Sequence, residues 1–332
     1  MIFHPPILAL TLVSLLSAAA AVWASIFAVE LLRRWDLSSG AESQVLLERR
    51  TYLVSAVMAL VMTAELASLV LFVFNADRMA VMFVGAMCAV GTLNASVYGL
   101  PALLAKLAVF FAASLWLAVN YADSQGRDYP LIRVKYRLLL AVAPLVVLAA
   151  GLQLAYFLDL KADTITSCCS KLFAPGKPGL SGELTGLGER TALVLLFTGL
   201  GCLLAAGAAA LRWPRSAALY GAGSAAFFVI AIAAVISAIS LYVYEHPNHH
   251  CPFCLLKREY GYFGFALYTP LFAGTALGLP AGFLGLLRQP PSLGAVMPAL
   301  LRRLTLGSMA CFSVFGAFAA WAIWASKLIL FA

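Results

Sequence analysis

Charged residues are scarce in this chain of 332 residues. Asp, Glu, Lys and Arg together make up only 11% of the sequence, whereas 63% of the residues are hydrophobic. A soluble domain has about 25% charged and about 45–50% apolar residues, so soluble enzymes, nucleic-acid-binding proteins and disordered scaffolds are excluded. The composition predicts an all-α, polytopic integral membrane protein that lies in a lipid bilayer and has no nucleic-acid partner.

Long polar segments are also rare, and the start of the chain lacks a signal-peptide pattern. The first apolar run, 7–32, has no Lys or Arg before it and is longer than the roughly 7–15 residues of a signal-peptide core. It is therefore expected to remain as a helix. A spanning helix needs about 20 apolar residues, and the candidate runs lie at 7–32, 51–74, 79–99, 102–121, 138–158, 191–211, 217–244, 261–287 and 304–330.

Lys and Arg are concentrated in four connections between these runs, at 33–50, 122–137, 212–215 and 288–303. Connections that remain in the cytoplasm carry an excess of these residues. The last three are separated by two spans each, so all three fall on one side of the membrane. The first connection contains Arg33, Arg34, Arg49 and Arg50 and also favours the cytoplasm. Three runs separate it from 122–137, and this odd number creates a conflict.

The conflict disappears if one run between 51 and 121 does not cross the bilayer. The best candidate is 79–99, because 91–101 is rich in small and helix-breaking residues and irregular backbone at membrane depth needs cover from protein or water. The sequence therefore predicts eight or nine transmembrane helices. It divides them into an N-terminal membrane unit of three or four helices over 1–135, a four-helix unit of redox type over 136–288, and a last transmembrane helix in 289–332.

Cysteines are few, and their placement separates them into two groups. Three of the seven lie in apolar runs and are interpreted as small buried side chains; these are Cys88, Cys202 and Cys311. The other four lie in the two long connections of the four-helix unit, which face away from the cytoplasm. These four are the candidates for chemistry: Cys168, Cys169, Cys251 and Cys254.

The connection at 245–260 contains the sequence His-His-Cys-Pro-Phe-Cys over 249–254, at the start of an apolar run. Cysteines at i and i+3 of a starting helix share a face, and proline suits the first helical position. Cys251 would then lie at the helix cap, where the dipole favours a thiolate. This pattern is typical of a redox dithiol, but CxxC also begins metal sites. In that alternative, His249, His250, Cys251 and Cys254 bind a soft metal such as copper or zinc.

The connection at 159–190 contains Cys168 and Cys169 side by side, followed by a segment rich in glycine and proline up to Gly188. Adjacent cysteines bridge each other only through a strained ring, and strained disulfides are the labile ones. Their natural uses are exchange with another thiol pair or joint metal binding. A flexible segment of this length could bring either cysteine to the CxxC sequence.

The order of helix, cysteine-containing connection, two helices and CxxC resembles the vitamin K epoxide reductase family over 136–288. It is more loosely similar to the bacterial membrane oxidases that re-oxidise periplasmic disulfide donors. The resemblance implies a thiol–disulfide oxidoreductase of the bacterial inner membrane with its cysteine connections in the periplasm. Cys168 or Cys169 would take electrons from a thioredoxin-like partner and exchange with Cys251. Cys254 would then pass two electrons to a quinone.

The positions of several further residues indicate roles in the binding of a quinone or in proton transfer. Tyr260, Tyr262 and Phe265 follow the CxxC sequence and are candidates for a quinone seat, although aromatic residues at this depth are also typical of an interfacial belt. Glu65 lies in the middle of the second run. An ionised carboxyl group at this depth costs free energy, so its presence indicates either a proton relay or a hydrogen-bonded structural role. Lys106 is its candidate partner.

Two other functions remain open. The chain could be a metal or haem handling protein with an external Cys/His site, although no histidine lies within a predicted span to form a bis-histidine haem site. It could also be a non-catalytic subunit that anchors a respiratory or electron-transfer assembly and has other membrane subunits as partners.

Overall fold

The structure, a computed structural model, describes residues 5–36, 42–126, 128–161, 165–166, 188–213, 216–287 and 291–328. These residues form helices and turns, with no strand among them. Eight of the helices are long and apolar enough to span a membrane. The fold is therefore an all-α polytopic membrane protein, as predicted from the composition.

The helices are numbered in chain order. They are α1 Pro5–Arg34, α2 Glu42–Met79, α3 Ala89–Leu93, α4 Gly99–Ser124, α5 Ile132–Asp159, α6 Glu189–Arg212, α7 Ala217–Ala234, α8 Ser240–Tyr244, α9 Phe263–Leu286 and α10 Met297–Ala325. A π-helical turn, Val235–Ile239, joins α7 to α8, so that these three pieces form one span.

The run at 79–99 does not form a spanning helix, as its breaker residues predicted. It contains only a short 3-10 turn, Ala80–Met82, and the five-residue helix α3. As a result, two spanning helices, α2 and α4, separate the connection that follows α1 from the one that precedes α5. The arginine-rich connection at 33–50 can therefore lie on the same side as 122–137, and the conflict in the sequence is removed.

The chain divides into two compact units. Unit 1 contains α1, α2, α4 and α5, together with residues 291–300 of those described. Each of its four helices packs against two others, which closes the bundle. Its core is formed by large side chains such as Trp116, Met58 and Tyr136 packed against small ones on α1 and α4. The phenol of Tyr136 donates to the carbonyl of Thr51 at 3.3 Å, so the buried hydroxyl is satisfied.

Unit 2 contains residues 80–91, helices α6 to α9 and most of α10. Helices α7 and α9 approach each other at Gly221 and Gly282, where a Cβ atom on Gly221 would lie 2.7 Å from the Cα atom of Gly282. Small residues of this kind permit close packing of membrane helices. Helix α10 is attached by a hydrogen bond from Tyr220 to Ser308 at 2.8 Å and by the edge of Phe312 against Phe227.

This grouping differs from the division drawn from the sequence. Helix α5, which the sequence placed at the start of the unit over 136–288, packs with the N-terminal helices. Most of the C-terminal helix α10 belongs with α6, α7 and α9. The CxxC sequence therefore lies in a unit built from four spanning helices, but from a different four.

Candidate cysteine centre

Cys88 lies beside the CxxC pair, a proximity that the sequence reasoning missed. Its Sγ atom is 3.5 Å from the Sγ atom of Cys251. The sulfur atoms of Cys88, Cys251 and Cys254 all lie within 4.8 Å of one another. Within the described part of the chain, no other set of three His, Cys, Asp or Glu side chains brings its ligand atoms so close together. We call these three residues the cysteine centre.

The segment that carries Cys88 is held by a close backbone contact. Gly85 has a φ of 87°, which L side chains rarely adopt. A Cβ atom on this residue would also lie only 2.3 Å from the carbonyl oxygen of Thr166. The N–H of Thr166 in turn donates to the carbonyl of Val84 at 3.0 Å. Only glycine fits both the left-handed backbone and this approach, and the contact positions the chain three residues before Cys88.

The CxxC pair lies on a tight turn, and the prediction that it begins a long helix is wrong. Cys251 precedes a 3-10 turn, Cys254–Leu256. Two residues in the left-handed conformation, Gly261 and Tyr262, separate this region from α9, which begins at Phe263. Neither cysteine therefore lies at the positive end of the α9 dipole, and any activation of a thiolate has to come from other neighbours.

Three side-chain hydrogen bonds to backbone carbonyls fix the turn. Tyr244 donates to the carbonyl of Cys251, and Tyr268 donates to the carbonyl of Pro252 at 2.7 Å. The ammonium group of Lys257 donates to the carbonyl of Met87, the residue before Cys88. The last bond ties the two segments of the cysteine centre directly to each other.

The cysteine centre is buried in an aromatic environment. The exposed fractions of Cys88 and Cys251 are both 0%, whereas that of Cys254 is 6%. Tyr244, Tyr260 and Phe253 pack against the cluster. An accessible reagent therefore reaches Cys254 first, and the other two sulfurs only after the surrounding structure moves.

Of the three aromatic residues predicted to seat a quinone, only Tyr260 packs against the cysteine centre. Its ring centroid is 4.4 Å from that of Tyr244. Burial raises the pKa of Tyr260, and thiolate charge on Cys254, the Glu259 carboxylate and thiolate charge on Cys251 raise it further. Tyr262 and Phe265 are exposed instead, with fractions of 52% and 47%. The seat as a whole stays a prediction.

The two histidines before Cys251 have other contacts. The ring of His249 stacks at 4.2 Å on that of Tyr244. Nδ1 of His250 lies 3.0 Å from the carbonyl oxygen of Ile236, in the π-helical turn. A carbonyl only accepts hydrogen bonds, so Nδ1 donates here and Nε2 carries no proton in the neutral ring. The set of three close ligand atoms contains Cys88 instead of a histidine, and ligation by the histidines stays a prediction.

The remaining predicted site residues lie elsewhere. Cys168 and Cys169 are outside the described residues, so their expected approach to Cys251 stays a prediction. Glu65 lies in unit 1, where it is buried and forms an ion pair with Lys106, the partner suggested by the sequence. Its role as a proton relay is likewise still a prediction.

The chain matches no protein-family model, no curated protein and no solved structure. The resemblance to the vitamin K epoxide reductase family therefore stays a prediction. Any function has to be argued from the chemistry of the cysteine centre itself.

Proposed function

We propose that this protein is a membrane thiol–disulfide oxidoreductase whose redox pair is Cys251 and Cys254. The observation that carries the proposal is the approach of three buried cysteine sulfurs to within 4.8 Å of one another. Cysteines that serve only as small core residues have no need to cluster. Thiols at contact distance, by contrast, form a disulfide after small side-chain rotations, since the S–S bond is about 2.05 Å long.

The reaction is a two-electron exchange. When the pair is oxidised, the two thiols lose two electrons and two protons and an S–S bond forms between Cys251 and Cys254. A quinone takes up the electrons and protons and becomes a quinol. In the opposite direction, an external dithiol reduces the protein disulfide and becomes a disulfide itself.

An apolar acceptor suits the surroundings of the pair. Tyr244, Tyr260 and Phe253 line the cysteine centre, and six residues separate the turn from the spanning helix α9, which begins at Phe263. A quinone ring dissolved in the bilayer is flat and apolar, so it can stack on aromatic side chains at this level. Cys254 is the member of the pair with residual exposure, and it is assigned to face the quinone.

The electron donor is proposed to be a periplasmic thioredoxin-like protein. If all eight candidate helices cross the bilayer, counting along the chain puts the arginine-rich connections on one side and the connections 80–98 and 245–262 on the other. By the positive-inside rule that other side is the non-cytoplasmic one, and we infer that it is the periplasm of a bacterial inner membrane. Cys168 and Cys169 remain the candidates for receiving electrons from the donor, as the resemblance in the sequence implies.

The experiment is a thiol count after treatment of the purified protein with a short-chain quinone. The protein is denatured, alkylated with a mass-tagged maleimide and mapped by mass spectrometry of its peptides. In the wild type, the quinone is expected to lower the alkylation of both Cys251 and Cys254. In Cys251→Ser, Cys254 should no longer be protected by a disulfide to residue 251 and should become more alkylatable after the same treatment.

The matched control is Cys202→Ser, because Cys202 is exposed and lies on α6, outside the cysteine centre. This variant should behave as the wild type does. If Cys251 and Cys254 both stay fully alkylatable after quinone treatment, the proposed function is wrong.

Binding of a soft metal is the second candidate, and the third sulfur favours it. Zinc takes thiolate ligands at about 2.3 Å, which places sulfurs around one ion roughly 3.8 Å apart, and Cys88 and Cys251 are 3.5 Å apart. Elemental analysis of the purified protein distinguishes the two functions. If a metal is the resident ligand, wild-type protein contains zinc or copper and Cys88→Ser loses it; equal metal content in the two excludes this function.

A further inference from the structure

Cys88 comes from a part of the chain far from the CxxC sequence, yet its sulfur is in contact with that of Cys251. The two residues are 163 positions apart, and their Sγ atoms lie 3.5 Å from each other. This distance is too long for a disulfide bond and matches two sulfurs in van der Waals contact. The sulfur of Cys88 is therefore close enough to attack that of Cys251 when Cys251 is part of a disulfide.

Independent contacts hold Cys88 at this position. Its segment is fixed by Gly85 against Thr166 and by the hydrogen bond from Lys257 to Met87. The first contact precedes Cys88 by three residues, and the second by one. Because Lys257 itself follows the CxxC turn, the two sulfur-bearing segments are tied together, and the contact between Cys88 and Cys251 does not depend on the cysteines alone.

The exposed fractions of the three cysteines indicate which of them would form a protected disulfide and which would remain a thiol. Cys88 and Cys251 are fully buried, whereas Cys254 keeps an exposed fraction of 6%. A disulfide between the two buried residues would be protected from outside reagents. It would also leave Cys254 as the thiol next to the ring of Tyr260.

We propose that Cys88 is the third reacting residue of the pair and exchanges with the disulfide that links Cys251 to Cys254. The sulfur of Cys88 attacks that of Cys251, a bond forms between them, and the bond from Cys251 to Cys254 breaks. Cys88 gives up its proton and Cys254 gains one, so the exchange consumes no oxidant. One disulfide and one thiol remain, and the thiol has moved from a fully buried residue to Cys254.

This inference rests on the proposed function and adds a residue to it. With Cys88 in reach, the oxidised protein has two disulfide forms. One form locks Cys254, and the other releases it for a mixed disulfide or for contact with an electron acceptor. Because of this exchange, the protein can hold a disulfide while the accessible residue Cys254 is a thiol.

The test is a disulfide map of the full-length protein after oxidation with the short-chain quinone or with diamide. Peptides are digested without reduction and identified by mass spectrometry. In the wild type we expect both the 251–254 and the 88–251 linkages. In Cys254→Ser we expect the 88–251 linkage to become the main product and to exceed links from Cys88 to Cys202 or Cys311 by at least about tenfold, since proximity favours the adjacent pair.

A second measurement covers the case in which Cys254→Ser fails to fold. Under oxidising conditions, Cys254 of the wild type should still react in part with a maleimide, because exchange releases it. In Cys88→Ser, this reactivity should fall several-fold, whereas Cys311→Ser should leave it unchanged. Cys311 is a suitable control because it lies on α10 and outside the cysteine centre.

The outcomes for the two proposals are distinct. If the 251–254 linkage forms but no 88–251 linkage is found in the wild type, and Cys88→Ser leaves the alkylation of Cys254 unchanged, the role of Cys88 is wrong and the proposed function stands. If the 251–254 linkage never forms, the proposed function itself is overturned.

Discussion

Lys106 and Glu65 form an ion pair in the middle of unit 1, with Nζ and Oε2 3.6 Å apart and with exposed fractions of 1% and 3%. The ammonium group also donates to Ser68 at 2.8 Å and to Ser14 at 3.4 Å. Three helices, α1, α2 and α4, therefore contribute polar groups to one point of an otherwise apolar bundle. Each charge compensates the other at a depth where neither is tolerated alone.

Removing one partner of this pair should destabilise the protein strongly. Glu65→Gln or Lys106→Met leaves the opposite charge buried without compensation, which costs about 3–5 kcal/mol in comparable pairs. The double variant Glu65→Gln/Lys106→Met should recover most of that loss, because no charge remains. The free energy of unfolding, measured by titration with a denaturing detergent, gives the coupling between the two residues.

The matched control is Glu30→Gln, which breaks the exposed ion pair with Arg34 on α1. Surface pairs contribute only about 0–1 kcal/mol, so this variant should unfold nearly as the wild type does. If the double variant is as unstable as the sum of the two single variants, the pair does not act as a compensated unit.

A second buried pair should be similarly sensitive. Oδ2 of Asp123 accepts from Lys135 at 2.6 Å, and Oδ1 accepts from the backbone N–H of Leu131 at 2.9 Å. These contacts close the short connection between α4 and α5. Asp123→Asn removes the charge that compensates the buried ammonium, and we expect a loss of about 3–5 kcal/mol in the free energy of unfolding.

Asp128→Asn provides the control in the same connection, because Asp128 is exposed. Its melting temperature should differ little from that of the wild type. A comparable loss in both variants would show that the connection, and not the buried contact, determines the effect.

The transmembrane helices could be predicted because about 20 consecutive apolar residues are a strong local signal of a membrane span. The failure of 79–99 to span could also be predicted, from the small and breaking residues of 91–101. The position of Cys88 could not, because its contact with Cys251 joins segments 163 residues apart. One signal was available: once 79–99 is not a span, Cys88 lies in a connection on the same side as the CxxC sequence.

The local structure of the CxxC sequence was mispredicted for a different reason. A proline after the first cysteine suits a helix start, and the apolar run follows within a few residues. The structure shows instead that Gly261 and Tyr262 take left-handed conformations and delay α9 until Phe263. Tyrosine rarely adopts a positive φ, so neither composition nor periodicity indicates this break.

Gly85→Ala is predicted to displace Cys88. The new methyl group would lie 2.3 Å from the carbonyl oxygen of Thr166 in a left-handed conformation, so the segment has to move. We expect a lower melting temperature and a several-fold lower yield of the disulfide between Cys88 and Cys251. Gly261→Ala separates strain from collision, because Gly261 also has a positive φ but no atom within 4 Å of its added Cβ.

Gly261→Ala should therefore lower stability by only about 1–2 kcal/mol, the cost of the left-handed conformation, and should leave the yield of that disulfide unchanged. If Gly85→Ala has the same small effect on both measurements, the contact with Thr166 does not position Cys88.

The titration of Tyr260 predicts how stability changes at alkaline pH. Burial, with the charges of Cys254, Glu259 and Cys251, raises the pKa of this phenol above its ordinary value of 10.0. In the unfolded chain, the phenol ionises near pH 10, whereas in the folded protein it holds its proton to a higher pH. The stabilisation is thus complete below about pH 10 and is lost as the pH rises through the folded pKa. Tyr260→Phe should lessen the fall in melting temperature above pH 10, whereas Tyr262→Phe, at an exposed neighbour, should not.

Cys254→Ser removes one of the charges that raise the pKa of Tyr260. The ionisation of Tyr260, followed by phenolate absorbance, should therefore move to lower pH in this variant. An unchanged titration in this variant would show that the thiolate of Cys254 does not act on the ring.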